Sequence, residues 1–575
     1  ATFNFDGNFT QSGGVFNQTS TTASTFNFRG AGKTFNQSGG TYTGTYFNYI
    51  VLGSPAASLT WASPLTLSTT RTLTVNAGGS LTLGANITNT GGTITNNGSM
   101  YLQNYVISGT GGIFSHNTAT SFLYIGHADG IAASGTVGNI QTTGARTFGA
   151  TASYIYNGTV TQNTGNGLPA ALTTGSLSID NPNHVDLNRA TAITGAGSLN
   201  LLNGHFRLGN FNFTLASTSI LGGNTFSNTN MIVTGGTGQI IKSIPTGIST
   251  FTFPVGDNVS GDDYSPVTLE FTANSTARNI GVNVSDARHP QDILVPDYLT
   301  RYWSFTNTGA GTHTVNATFT YASSGDVVGT LANIDLNRFD PNAASPTYTL
   351  WNSYTTTRTG NDLIISSANN FLLPTANYSF DFTGRSVDPL YYYRSKANGN
   401  WNDVNTWEVS SDPTFTSPAP VNAVNVPTST NSSGILVRPA HTVTVTASQT
   451  SIDELTVDGT LNINNAITFT IVNGTGTDLT VNGTVANSGT LNLNTAGSSV
   501  SVDGILRNTG TNGIINATAA ILTMNAGGVY DHNRNGGALT LATWDANSTL
   551  LISGITTTAL ATGLGAQSYG NVIIN

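Results

Sequence analysis

Chemistry in this chain has to come from scattered carboxylates, eight histidines and one aromatic cluster, because its 575 residues include no cysteine. Asp180, His184 and Asp186 form the tightest acid–base grouping. Acids beside a histidine and a basic group are what hydrolysis of a polysaccharide uses, with one group moving protons as another attacks or activates water. Elsewhere the acids stand singly, as at Asp6, Asp129, Asp458 and Asp503, so a polar loop is the plainer reading of 180–186. A second grouping, Asp257, Asp262 and Asp263 in "GDNVSGDDYSP", offers the hard oxygen ligands that suit calcium. Its spacing matches no EF-hand loop, and an ordinary polar turn is the alternative. The third is "YYYRSKANGNWNDVNTW", which gathers Tyr391, Tyr392, Tyr393, Trp401 and Trp407. Such rings either stack on a sugar or close off a core. No P-loop, dinucleotide fingerprint or Ser/His/Asp motif is present, so no catalytic residue and no cofactor is expected.

What positions these residues follows from composition. Charged residues make up 8% of the chain, against roughly 25% in an ordinary soluble protein, while Thr, Val, Ile and aromatics are plentiful. Disorder needs the reverse balance. Segments stacked about 4.8 Å apart set each charge against its own image, at a cost of roughly 1 kcal/mol in water and more near a protein surface. Thr, Asn and Ser carry no such penalty and hydrogen-bond up a ladder. The net charge of −9 with no basic run argues against nucleic acid as a partner. No apolar run is long enough to span a bilayer, so no membrane insertion is expected. The opening "ATFNFDGNF" has neither an initiator Met nor a leader pattern and reads as mature or excised material.

Repeats confirm the stacking idea at the level of sequence. "TFNFDG" at 2–7 returns as "TFNFRG" at 25–30, and "TLTVN" at 72–76 is answered by "TITNN" at 93–97. Near the other end "LTVDGTL" at 455–461 becomes "LTVNGTV" at 479–485 and "VSVDGIL" at 500–506, followed by "LTMNAGGV" at 522–529. Inside each unit apolar and polar residues alternate with period two, and "DG" or "NG" corners are expected to supply positive φ. A unit of about 22 residues with short strands is one coil of a β-solenoid, which buries its inner face only by stacking.

Between about 243 and 388 the repeats stop and longer alternating strands take over, as in "LTRYWSFTNTG" and "HTVNATFTYA". The expected architecture is all-β: a β-solenoid over 1–242, an antiparallel Ig-like β-sandwich over 243–388, and a second β-solenoid over 389–575 opened by the aromatic segment as a cap. Val457 is expected to face inward and Thr456 outward.

These stretches carry a family likeness. "NGNWNDVNTWEV" at 398–409 resembles the segment that opens solenoid modules in large Bacteroidota surface proteins exported by type IX secretion. "TGGTGQIIKSI", "FTFPVGDN" and "YSPVTLEF" within 234–271 are similar to the passage from coil to sandwich in those proteins. The resemblance implies an extracellular, modular, adhesin-like surface protein and carries over no catalytic residues.

The expected function is therefore a non-catalytic structural or adhesive protein, outside the cell, forming a rod or filament. Its expected partner is itself, by head-to-tail stacking or as one period of a longer chain, since residue 1 begins inside a repeat and "YGNVIIN" at 569–575 resembles "YFNYIVL" at 46–52. Cell-surface or environmental glycans are a further expected partner. The competing readings are a glycan-binding adhesin module and a β-helix polysaccharide-degrading enzyme.

Overall fold

The structure is a computed structural model that describes residues 1–575 except 19–21, 44–46, 293–294, 341–350, 373–374, 388–389, 417–418, 517, 563 and 566. The chain is all-β and forms β-solenoid coils of about 22 residues. It divides into two compact units, Ala1–Val387 and Asp388–Asn575.

Between Leu65 and Tyr156 each coil contributes one short strand to each of three parallel sheets, whereas the strands from Thr2 to Trp61 pair in two of them. Leu65–Ser68, Thr72–Val75 and Ser80–Leu83 make one coil, and Ile87–Thr90, Thr93–Asn96 and Ser99–Tyr101 make the next. Leu65 pairs with Ile87, Thr72 with Thr93, and Ser80 with Ser99. Because side chains alternate across a strand, in-register pairing puts like on like. Leu73, Ile94 and Phe114 fill one buried row, while Thr72 and Thr93 face outward. A fully buried Leu or Ile contributes about 1.5–3 kcal/mol, and only the neighbouring coil makes that burial complete.

The second unit repeats the plan. Leu455, Leu479, Val500 and Leu522 form one inward row and Val457, Val481, Val502 and Met524 another. The corner glycines there serve a different purpose from the one expected. Gly459, Gly483 and Gly504 do not have positive φ; instead a Cβ on each would lie 2.3, 2.1 and 2.1 Å from a carbonyl oxygen of the preceding coil. Glycine is required because the backbones of successive corners nearly touch.

Within the first unit the solenoid passes into antiparallel structure without a break in the sheet. Ile240–Ile244 pairs in parallel with Phe213–Leu215 on one edge and antiparallel with Arg278–Ser285 on the other. Parallel coil pairing reaches as far as Val255–Asp257, which lies beside Ile232–Val233. Side chains finish the coils. The Lys242 ammonium donates to the carbonyls of Ala216, Ser217 and Ser219 at 2.6, 3.3 and 2.7 Å. Asn283 Nδ2 donates to those of Thr234, Gly236 and Gly238 at 3.1, 2.9 and 2.7 Å. These buried donors satisfy acceptors that would otherwise lose their solvation. Beyond this point two antiparallel sheets share a core, with the Phe319 ring 5.2 Å from Trp303, 5.8 Å from Phe305 and 5.1 Å from Phe382.

Candidate functional site

The calcium candidate resolves into something else. Arg301, on the strand Tyr298–Asn307, is fully buried with four carboxylates around it. Its Nη1 meets Asp257, its Nη2 lies 3.1 Å from Asp263 and 3.3 Å from Asp286, and its Nε donates to Asp326 at 3.2 Å. The acids come from the last coil strand, the hairpin after it, the end of Arg278–Ser285 and a 3-10 turn, so their convergence is entirely tertiary. Burial holds the Asp257 carboxyl above the usual range, with the Arg301 hydrogen bond and charge opposing it. Ligand oxygens of Asp257, Asp263 and Asp286 lie within 4.8 Å of one another, but the guanidinium already fills the place a cation would take. The residues present do not fit calcium. Asp262 lies apart, its Oδ1 3.8 Å from His205 Nδ1.

The grouping Asp180, His184 and Asp186 is only partly brought together: the charge of Asp186 acts on His184, while that of Asp180 does not. The His184 ring stacks on His205 of the next coil with centroids 4.3 Å apart. Asp186 is held by Arg207 in a two-point contact of 2.5 and 2.7 Å. His184 is kept below its ordinary pKa by burial and by the neighbouring His205.

The aromatic segment is an internal brace. Trp401 and Trp407 are both 0% exposed, and their rings meet edge to face at 5.0 Å, with Phe469 5.1 Å from Trp401. Trp407 Nε1 donates to the Trp401 carbonyl at 2.9 Å, and Trp401 Nε1 to that of Pro427 at 3.3 Å. Neither ring has a free face for a sugar, which corrects the glycan-contact expectation at these two residues. Tyr391 and Tyr393 point inward and Tyr392 is half-buried. Tyr391–Ser395 pairs in parallel with Ser432–Val437, and its other edge is covered by the antiparallel strand Trp407–Ser410, which Val421–Asn422 covers in turn. A coil edge shielded by reversed strands cannot recruit another chain there.

Two features lie outside every motif in the sequence. The first is polar and inward: Asn96 and His116 occupy the buried row that holds Val75 and Phe148, and Asn487, Asn508 and His532 occupy the row between Ile463 and Ile552. Asn96 Nδ2 donates to His116 Nδ1 at 3.1 Å, while His116 Nε2 donates to the Ser153 carbonyl at 3.1 Å. Burial pushes His116 down to about 4. The only sequence signal was a polar residue in an inward slot of the alternation. The second is Asp453, pushed up to about 6 by burial and by the nearby charges of Glu454 and Asp478. Asp478 is committed to the backbone N–H groups of Gly474 and Ser499, and Glu454 to that of Thr475. This arrangement braces the turn before Leu479.

No protein-family model, curated protein or solved structure matches this chain.

Proposed function

We propose that this chain is a non-catalytic structural segment of an extracellular filament at a bacterial cell surface, extended by adding coil to coil. The observation that carries the reading is the outward corner row Asp458, Asn482, Asp503 and Asn525, where acid and amide alternate coil by coil. Asn482 Nδ2 donates to Asp458 at 2.8 Å and Asn525 Nδ2 to Asp503 at 3.1 Å. Such a row favours stacking and brings no acids together for chemistry. Three further acids favour the same reading: Asp6, Asp186 and Asp531 each pair with an arginine of an adjacent coil. Except at the edge that Trp407–Ser410 covers, a coil's two edges are alike in kind, so a further coil from the same chain or from a second copy joins by the ladder already in use. The antiparallel region, on this reading, is an Ig-like β-sandwich set among coils. The likeness to type IX-exported surface proteins supports the extracellular setting.

Electron cryomicroscopy of the native cell surface tests it. The expected result is a continuous filament whose density contains this fold, with a layer spacing of about 4.8 Å. A freely diffusing, monodisperse protein that turns over a polysaccharide would overturn it.

A further inference from the structure

A cleft of about 360 Å³ opens on the flank of the first solenoid, a size within the roughly 300–1,000 Å³ of small-ligand sites. It is lined by Asp129, Ala132, Val137, Asn163, Asn166 and Asn188, with Ser134 and Gly165 completing the wall. One side is the segment 126–139, which carries no strand of its own and follows Phe122–Ile125. That segment is anchored by the fully buried Ile131 and by polar ties. Arg146 donates to the carbonyls of Thr142, Ala132 and Gly135 at 2.8, 2.9 and 2.5 Å. The fully buried Asn139 donates to the carbonyls of Gln103 and Tyr105 at 2.9 and 2.7 Å. Its backbone then locks onto the corner at 163–167. Asn163 N–H donates to Ala128 at 2.7 Å and Gly167 N–H to Ile131 at 2.9 Å. A Cβ on Gly130 would lie 2.1 Å from the Asn163 carbonyl, and one on Gly165 2.0 Å from that of Ile131, so the fit admits nothing larger than glycine.

Against this fixed wall three carboxamides converge. Asn166 Oδ1 accepts from Ala133 N–H and Asn188 Oδ1 from Thr164 Oγ1, both at 2.9 Å. Those bonds orient the amides and leave each Nδ2 without a protein partner among the described residues. The Asn163 carboxamide has no side-chain partner among them at all. Val137, half exposed, supplies an apolar patch beside them, with the largely buried Ala132 behind it. No cationic side chain lines the cleft among the described residues, so it does not select an anion. The backbone N–H groups of Asn163 and Gly167 are already taken, so a peptide strand cannot add there.

We propose that this cleft binds a sugar unit of a neutral glycan. Vicinal hydroxyls both donate and accept, as carboxamides do, and the C–H face of a pyranose matches the Val137 patch. Asp129 accepts from one more hydroxyl.

The test is isothermal titration of the full chain with maltose, cellobiose, lactose and diacetylchitobiose, and with digalacturonate as the acidic control. At least one neutral disaccharide is expected to bind in the millimolar range and digalacturonate is expected not to. Asn163→Ala and Asn188→Ala should each weaken that binding about tenfold, while Asn369→Ala, in a separate polar cleft, leaves it unchanged. Both lining positions are exposed, and an unchanged melting temperature confirms that each variant is folded. Heat from none of the four neutral sugars overturns the proposal. Binding that survives both lining variants, or equal binding of digalacturonate, does so too. The measurement needs no filament, so its failure leaves the structural reading standing.

Discussion

Asn482 sits one coil above Asp458 and donates its Nδ2 hydrogen to that carboxylate at 2.8 Å. Asp503 occupies the same corner one coil further on. Asn482→Asp therefore places three carboxylates in successive rungs. Each new pair costs roughly 1 kcal/mol at low salt, given exposed positions about 4.8 Å apart. Denaturant unfolding should show a loss of about 1–2 kcal/mol that shrinks in high salt, whereas Asn482→Ser should show no salt dependence. A loss of the same size at every ionic strength would mean that repulsion is not its source.

Val457 faces inward between Val437 and Val481, and its neighbour Thr456 faces outward. Val457→Asp buries an unpaired charge and is expected to cost several kcal/mol, against less than about 1 kcal/mol for Thr456→Asp. Hydrogen exchange over 455–457 and 479–481 distinguishes them. Equal loss of protection in the two variants would refute the assignment of faces.

His116 makes stability fall in acid. Its pKa in the fold, about 4, lies below the ordinary 6.5, so the unfolded chain binds its proton first. The stabilisation is full above pH 6.5 and is lost as pH falls toward 4, amounting to about 3 kcal/mol. His313, also held at about 4, and His532, lowered by burial, add in the same direction. His116→Asn would continue the Asn96 row without titrating, and its stability curve should be flatter between pH 6.5 and 4. A variant as acid-sensitive as the parent would assign the effect elsewhere.

Asp453 works in the opposite sense. Its folded pKa, about 6, is raised above 3.8, so the fold binds its proton more tightly than the unfolded chain does. Stability from this group is therefore present below pH 3.8 and lost as pH rises through 6. Asp453→Asn should stabilise the second unit at pH 7.5 by about 1 kcal/mol, allowing for solvent screening, and should make no difference at pH 3.5. Thermal melts at the two pH values decide it.

Removing the Arg301 guanidinium leaves four carboxylates facing one another. Arg301→Met should destabilise the first unit by about 3–5 kcal/mol, and Arg301→Lys should not restore it, because a point charge cannot reach the acids that the planar fork serves. A chelator is expected to leave the melting temperature of the parent chain unchanged. A drop on chelation would return calcium to this site.

The coils were legible because their signal is local and repeated. The spacing between "LTVDGTL" and "LTVNGTV" is the spacing at which Leu455 meets Leu479, and that between "TFNFDG" and "TFNFRG" sets Phe3 on Phe26. Corner glycines were found for the wrong reason: "DG" and "NG" signal a turn, while close approach depends on the coil beneath, which a dipeptide does not encode. The Arg301 cluster was not legible, since Asp257 and Asp326 are drawn from 69 positions apart and only the hand-over to antiparallel strands joins them. Asp180 and Asp186 illustrate the converse. Their closeness in sequence suggested a common site, yet Asp186 is turned to Arg207 in the next coil. Inward Asn96 and His116 were hidden because alternation predicts an apolar residue at their slots.

The strand Ile240–Ile244 belongs to both regimes at once, gripping Phe213–Leu215 on one edge and Arg278–Ser285 on the other. Mechanically, that makes it a weld. Tension passing from the coils into the antiparallel strands crosses no slack tether; it loads neighbouring backbone bonds side by side, with the Lys242 side chain pinned to the coil on one edge and the Asn283 side chain reaching back from the antiparallel strand on the other. Five residue pairs on the antiparallel edge must shear together before the seam parts, so under load the coils and the strands beyond them bear the strain as one piece of fabric.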